Sequence, residues 1–518
     1  MNVQKQLMVN LSASIVAFIL NIGISFFLTP YIIGSLGIEA YGFVTLGLNF
    51  INYATLVTLA LNSMAVRFIT IEIHRNNWEE ANKYFSSVVL ANVLIAAVIL
   101  IPAILCVFYI DIIVNVPIDI LSDVRILFAF LFLNFLISII VSSFSVSTFA
   151  TNRLYLQSIR GIESYVIQAI LLIILFGFLD PKVSYIGIVA MIVLLYKTGF
   201  NIYYTKVFLP KIKEKKIYFN VKAVWELVSS GIWNSVIHLG NILLQGLNLL
   251  IANLFISAAA MGTLAVANTV PLVLSSLIGT IAGVFVPDFT ILYSKRKIEE
   301  LVVSIKKSMK ILGLITNIPI AILIAFGEEF FTLWVPREDA QMMHVLSVLY
   351  VSVFIISGSI NSLYNVFTVT NKVRTNALVM VSTGIFNILV VLVLLFTTEL
   401  GIYAVVIVSS FLGIIRNLVF TAPFGAIYLG LKWYTFFFEI IKSFFAFIIV
   451  LIIGLVINEI VVVDNWYLLI VVSIFTAILG LCINLWLIFN KDERKTLLEF
   501  IETEKIEGTA DIQCIFIQ

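Results

Sequence analysis

Residues 206–262 read KVFLPKIKEKKIYFNVKAVWELVSSGIWNSVIHLGNILLQGLNLLIANLFISAAAMG. They open on a basic segment that holds Lys206, Lys211, Lys213, Lys215, Lys216 and Lys222, then pass into residues 228–256, which carry no Asp, Glu, Lys or Arg. A bilayer core of about 30 Å needs about 20 apolar residues in a helix, so this run is a membrane span. The turn that follows, Ser257 to Gly262, is uncharged. One end of the span is therefore basic and the other neutral.

The same contrast recurs along the whole chain. Fourteen apolar runs are marked, at residues 9–29, 41–66, 84–109, 124–148, 160–179, 183–204, 228–256, 259–286, 306–326, 345–369, 376–397, 401–424, 436–457 and 466–489. Of the 31 Lys and Arg residues, all but Arg125, Lys182 and Arg337 fall at the chain ends, in every second connecting segment, or in the halves of the runs that adjoin those segments. Basic residues beside a span resist translocation, so that set of segments is expected in the cytoplasm, with both termini. Lipid-exposed backbone cannot go unpaired, so the spans must be helices. The expected fold is an all-α integral membrane protein of fourteen helices, the longest of them tilted or broken.

Composition agrees. With 61% apolar and 12% charged residues over 518 positions, the chain lies outside the soluble globular range. The first span is too long, and too weakly charged at its start, for a cleaved signal peptide. A net charge of +2 gives no reason to expect nucleic acid, because the basic residues follow one membrane face. Cys106, Cys482 and Cys514 have no paired or ligand-like spacing, so neither disulfide nor metal is expected. No zinc-protease, nucleophile-elbow, phosphate-loop or paired-carboxylate pattern appears, so no catalytic residue and no cofactor is nominated. The loops poor in Lys and Arg are short, the longest being Gly327 to His344, and leave no room for a domain. The stretch Lys206 to Trp225 reads either as a linker on an anionic leaflet or as a plain topology signal.

The chain also maps onto itself. At an offset near 220, Gly37-Ile38-Glu39-Ala40-Tyr41-Gly42 falls on Ser257-Ala258-Ala259-Ala260-Met261-Gly262, and Trp78-Glu79-Glu80 falls on Ile298-Glu299-Glu300. At 219, Thr151-Asn152-Arg153 falls on Thr370-Asn371-Lys372. All three matches lie in topologically equivalent turns. Six spans separate the copies, an even number, which predicts two parallel six-helix bundles related by an axis along the membrane normal. The expected parts are an N-terminal bundle at 1–210, a second bundle at 211–430, two further helices at 431–490, and a cytoplasmic tail at 491–518.

Polar side chains form stripes within the spans. Asn234, His238, Asn241, Gln245 and Asn248 recur at helical spacing and fall within an arc of about 80°. Amides are costly in hydrocarbon, so this face should turn toward protein or a solvated cavity. Helix one carries Asn10, Ser14, Asn21 and Ser25, helix two Asn49 and Asn52, helix eight Asn268, and helix ten Asn361 and Asn365. Interhelical packing also explains such residues, most of all the scattered hydroxyls. The column on helix seven favours a cavity suited to a hydroxyl-rich ligand such as a sugar chain. His238, near the midplane, fits a packing residue better than a proton carrier. Arg67 closes helix two near the basic face and fits either a phosphate contact or a snorkelling side chain. Lys197 and Arg416 are weaker candidates of the same kind. Asp288, at the end of helix eight, is a possible partner of Arg67 in an inner gate. No Asp or Glu is expected at mid-depth, which weighs against a cation-coupled drug exporter.

Three local patterns carry a resemblance. Residues 31–42, ending Leu36-Gly37-Ile38-Glu39-Ala40-Tyr41-Gly42, are similar to the turn after helix one in the polysaccharide flippases (Wzx-like) of the MOP superfamily. Leu61 to Phe68 resembles the basic end of that family's helix two, and Glu328 to Pro336 its turn after helix nine. The resemblance spans essentially the whole chain. It implies movement of an undecaprenyl-pyrophosphate-linked oligosaccharide from the cytoplasmic to the outer leaflet of a bacterial inner membrane. It also implies partnership with a polysaccharide polymerase and chain-length machinery. The same fold serves small-molecule exporters of the MATE type, which is the alternative reading.

Overall fold

The computed structural model describes residues 3–489 together with Glu493 and Arg494. The rest of the expected tail lies outside the described residues. Among those described there is no strand, and fourteen helices are long and apolar enough to cross a membrane. They are α1 (Val3–Leu36), α2 (Ile38–His74), α3 (Trp78–Phe108), α4 (Ile118–Ala150), α5 (Leu154–Phe178) and α6 (Ser184–Phe208). Next come α7 (Val221–Gly246, continued by Asn248–Phe255) and α8 (Ala258–Ala267, continued by Thr269–Ser294). The second half continues with α9 (Ile298–Trp334), α10 (Ala340–Ile360, continued by Leu363–Val369), α11 (Val373–Thr397) and α12 (Ile402–Ile427). Last are α13 (Phe437–Ile460) and α14 (Trp466–Ile488).

The expected number of spans is found, but several ends are not where apolar runs stop. Helices α2 and α9 are each 37 residues long, about 55 Å at 1.5 Å per residue and far more than a bilayer core requires. Glu, Lys and Arg are good helix formers, so a helix continues beyond the point at which it ceases to be apolar. Arg67 accordingly lies inside α2, two turns before its end at His74. Asp288 likewise sits in the first turn of a short helix, Val286–Ser294, that continues α8 past a break at Phe285.

Four turns on the basic face are built alike. Asn76, Asn152, Arg296 and Asn371 have φ of 58°, 54°, 56° and 56°. Each follows a helix whose last carbonyls accept two backbone N–H groups from the turn. Asn77 N–H donates to Glu72 O and Asn76 N–H to Ile73 O; Lys297 and Arg296 do the same to Leu292 and Tyr293. Arg153 and Asn152 pair with Thr148 and Phe149 as Lys372 and Asn371 pair with Phe367 and Thr368. This is the left-handed helix stop that satisfies orphan carbonyls. The separations, 220 and 219 residues, are those at which the sequence motifs recur. Helix interruptions follow suit: α4 tightens at Ser142–Ser145, and α10 breaks after Ile360.

By contact, the chain forms two compact units. One contains Met1–Val266 and Ala377–Leu395, the other Ala267–Asn376 and Phe396 onward. This division does not fall at the expected boundary near residue 210, because α7 and α11 pack with the first six helices. A Cβ placed on Gly231 of α7 would fall 2.0 Å from the Ala60 carbonyl oxygen of α2, and one on Gly384 of α11 would fall 2.6 Å from Leu243 Cβ. Contact and duplication are separate properties, so the duplication remains a proposal about sequence-equivalent parts.

Buried amides knit each unit. In the first, Asn62 of α2 and Asn92 of α3 exchange side-chain hydrogen bonds (3.2 and 2.9 Å), and Asn92 reaches Ser142 Oγ of α4 at 3.2 Å. In the second, Asn317 Nδ2 of α9 reaches the Ser443 carbonyl of α13 at 3.0 Å and Asn484 Oδ1 of α14 at 3.2 Å. Lys310 of α9, buried within its span, pairs with Glu493 at 2.7 Å. These contacts fasten α13 and α14 to the second unit.

Candidate functional site

The polar column of α7 runs antiparallel along α2 in the first unit, and much of it is engaged there. Asn234 Nδ2 donates to Ser63 Oγ at 3.3 Å, and His238 Nε2 lies 3.2 Å from the Asn52 carbonyl. Farther along, α7 widens into a π turn at Ile242–Gly246. Such a turn frees carbonyls from the regular ladder, and here they are capped from two sides. Tyr53 Oη donates to the Gly246 carbonyl at 2.6 Å and Asn49 Nδ2 reaches it at 3.4 Å. From α11, Asn387 Nδ2 donates to Leu243 O and Leu244 O at 3.3 and 3.1 Å. Asn387 is fully buried and its Oδ1 has no hydrogen-bond partner.

The π turn breaks the expected stripe. One extra residue in a turn rotates all that follows by about 100°. Asn241 and Gln245, before and within the turn, are exposed, whereas Asn248, after it, is 2% exposed. Asn248 thus faces the packed interior, and only Asn241 and Gln245 present open amides. Helix α1 divides as well. Asn10 Nδ2 donates to Asn152 O and Oδ1 at 3.0 and 2.9 Å, its own Oδ1 accepts from Tyr155 N–H at 2.9 Å, and Ser14 meets Ser158 at 3.1 Å. Those two residues are packing contacts with α5. Asn21, half-buried, accepts from exposed Ser25 on its own helix at 3.4 Å, leaving their amide and hydroxyl face open. Arg67 and Asn52 are exposed side chains on α2.

In the second unit the nominated residues sit at helix breaks. Asn268 occupies the junction between the two parts of α8, and Asn361 the break in α10. Asn365 Nδ2 donates to the Ala282 carbonyl at 3.2 Å. Beside it Tyr364 Oη donates to Asn417 Oδ1 at 2.6 Å and accepts from Arg416 Nη2 at 3.1 Å. Asn417 opens a second π turn, Asn417–Thr421. Asp288 Oδ2 accepts from Ser304 Oγ of α9 at 2.5 Å.

Helix α5 starts at Leu154, six residues before its apolar run, and carries Glu163 as the tenth of its 25 residues. It pairs with Arg160 at 2.7 Å and accepts the Tyr196 hydroxyl of α6, which in turn accepts from Arg160 Nη1 at 2.9 Å. Lys197 Nζ stands 5.5 Å from the Tyr165 ring centroid. The acid is thus held by a cation and a phenol, as charges among apolar helices generally are. On the face poor in Lys and Arg, Arg125 pairs with Asp111 at 2.8 Å, and the guanidinium holds the Asp111 carboxyl below its usual range.

All-helical and built of apolar spans, the fold matches that of MOP superfamily transporters in solved structures. The lipid II flippase MurJ in its inward closed conformation aligns with a TM-score of 0.64 at 16% identity, covering 92% of this chain and 98% of its own. A multidrug resistance MATE family transporter in an inward-facing conformation aligns at 0.60 and 15%, covering 82% and 98%. At these identities the likeness concerns the fold. Residues 7–292 match the family described as polysaccharide biosynthesis protein. The uncharacterized membrane protein EpsK of Bacillus subtilis (strain 168) is 30% identical over 491 residues, 95% of this chain and 97% of its own. The chain belongs to this polysaccharide biosynthesis family of flippase-type membrane transporters, the family that its loop patterns resemble.

Proposed function

We propose that the protein carries an undecaprenyl-pyrophosphate-linked oligosaccharide from the cytoplasmic to the outer leaflet of a bacterial inner membrane, for assembly of a surface polysaccharide. The observation that carries this reading is family membership across most of the chain, joined to open amide and hydroxyl groups at Asn21, Ser25, Asn52, Asn241 and Gln245. Amides and hydroxyls exchange hydrogen bonds with sugar hydroxyls without the cost of burying charge. The basic face is cytoplasmic in this reading. Arg67 there meets the pyrophosphate, and the lipid tail stays in the bilayer beside α13 and α14. The duplicated halves rock to exchange access, as duplicated transporters do. A polymerase and chain-length machinery receive the product.

Depletion in the native host, followed by mass spectrometry of lipid extracts, tests the substrate. One undecaprenyl-pyrophosphate oligosaccharide should accumulate while the matching surface polymer is lost. Unchanged lipid-linked sugars beside a normal polymer would sink the proposal. A second reading, a MATE-like exporter of small molecules, draws on the intramembrane Glu163; dye extrusion that E163Q abolishes, with lipid-linked sugars unaffected, would favour it.

A further inference from the structure

The segment between α6 and α7 is not a loose linker. Its backbone is pinned to the basic end of α3 by three side chains. Asn82 Nδ2 donates to the Lys211 carbonyl at 3.1 Å, and its Oδ1 accepts from Lys213 N–H at 2.6 Å. Ser86 Oγ donates to the Lys213 carbonyl at 3.0 Å and accepts from Lys215 N–H at 3.2 Å, and Ser87 Oγ accepts from Asn220 N–H at 2.9 Å. Asn82, Ser86 and Ser87 are buried beneath the segment. Bonding every second residue in this way straps residues 211–215 onto α3, before a short 3-10 turn at Lys216–Tyr218. Ile212 packs inward on a core that includes Ile69, Phe85 and Leu209. Lys211, Lys213 and Lys215 are exposed, the Lys211 ammonium standing 5.1 Å from the Trp78 ring centroid.

Apolar side chains stand beside these lysines without cover. Ile217, Val221 and Trp225 are 84%, 68% and 70% exposed. The pinning residues lie four to nine positions after Trp78, where the last charges of α3 (Glu79, Glu80 and Lys83) give way to its apolar run. That transition marks the depth of the headgroups, where tryptophan is enriched and lysine meets phosphate. Between residues 206 and 222 there are six lysines against the single Glu214.

We propose that this strap is a docking surface for anionic phospholipid headgroups, with Lys211, Lys213 and Lys215 on the phosphates and Trp225 at the acyl boundary. The pinned backbone makes it a built surface and not merely a topology signal, because the lysines are held in register before lipid arrives. Flexible basic segments spread their charge; this one presents it as a fixed row. The inference is independent of what the protein transports.

The test uses the full chain in vesicles containing brominated phosphatidylglycerol or brominated phosphatidylcholine at equal mole fraction. The difference in emission between the unaltered protein and W225F isolates Trp225. Its quenching should be greater with brominated phosphatidylglycerol, and the excess should vanish in high salt and in K211Q/K213Q/K215Q, whose exposed positions leave the fold intact. Equal quenching by both lipids would overturn the proposal and leave the lysines to an acidic protein partner or to topology. An excess that survives the triple substitution would overturn it too, by placing the lipid preference elsewhere.

Discussion

Arg296 holds the left-handed position that Asn76, Asn152 and Asn371 hold in the three companion turns. Asparagine tolerates this conformation because its short amide bonds locally, whereas a longer side chain costs about 1–2 kcal/mol there. Arg296 is exposed, so little packing offsets that cost. Arg296→Asn should therefore stabilise the protein by about 1 kcal/mol, read as a higher midpoint of thermal unfolding in detergent. An unchanged or lowered midpoint would mean that the arginine makes a contribution the turn geometry does not reveal. His238 illustrates the same scale differently. Its Nε2 is 3.2 Å from a backbone carbonyl of the neighbouring helix, the partner expected of a packing histidine.

At the scale of the element, α7 shows what sequence periodicity can and cannot deliver. The column Asn234, His238, Asn241, Gln245 was legible because a regular helix advances 100° per residue. Asn248 was not, since the π turn at Ile242–Gly246 adds a residue without leaving any mark in the apolar pattern. Tyr53, which caps that turn, sits in an ordinary polar-apolar alternation and gave no signal. Asn387 did give one, as an amide deep in the apolar run of α11, but it resembles many scattered polar residues. Hydrogen bonds between membrane helices average about 0.6 kcal/mol. Tyr53→Phe and Asn387→Ala should each lower unfolding stability by about that amount, and the double variant by more than the sum, because one turn then loses its cap on Gly246 and those on Leu243 and Leu244 together. Strict additivity in chemical or thermal unfolding would show that the caps do not share a burden.

Across the whole molecule, charge placement and apolar length were enough to give fourteen helices, since the bilayer imposes both constraints on every span. Packing was less legible. That α7 and α11 join the first unit depends on close approaches at Gly231 and Gly384, and glycine in an apolar helix has many other uses. The four left-handed turns, spaced as the sequence motifs are, support the proposed duplication. The account then rests on transport. Lipid-linked oligosaccharide extracted from depleted cells can be placed in vesicles with the purified chain, and its exposure followed with a membrane-impermeant glycosidase. The account predicts that glycan initially protected inside the vesicles becomes cleavable only when the protein is present, and that R67D slows this. Protection that persists with the folded protein under every imposed ion gradient would contradict it.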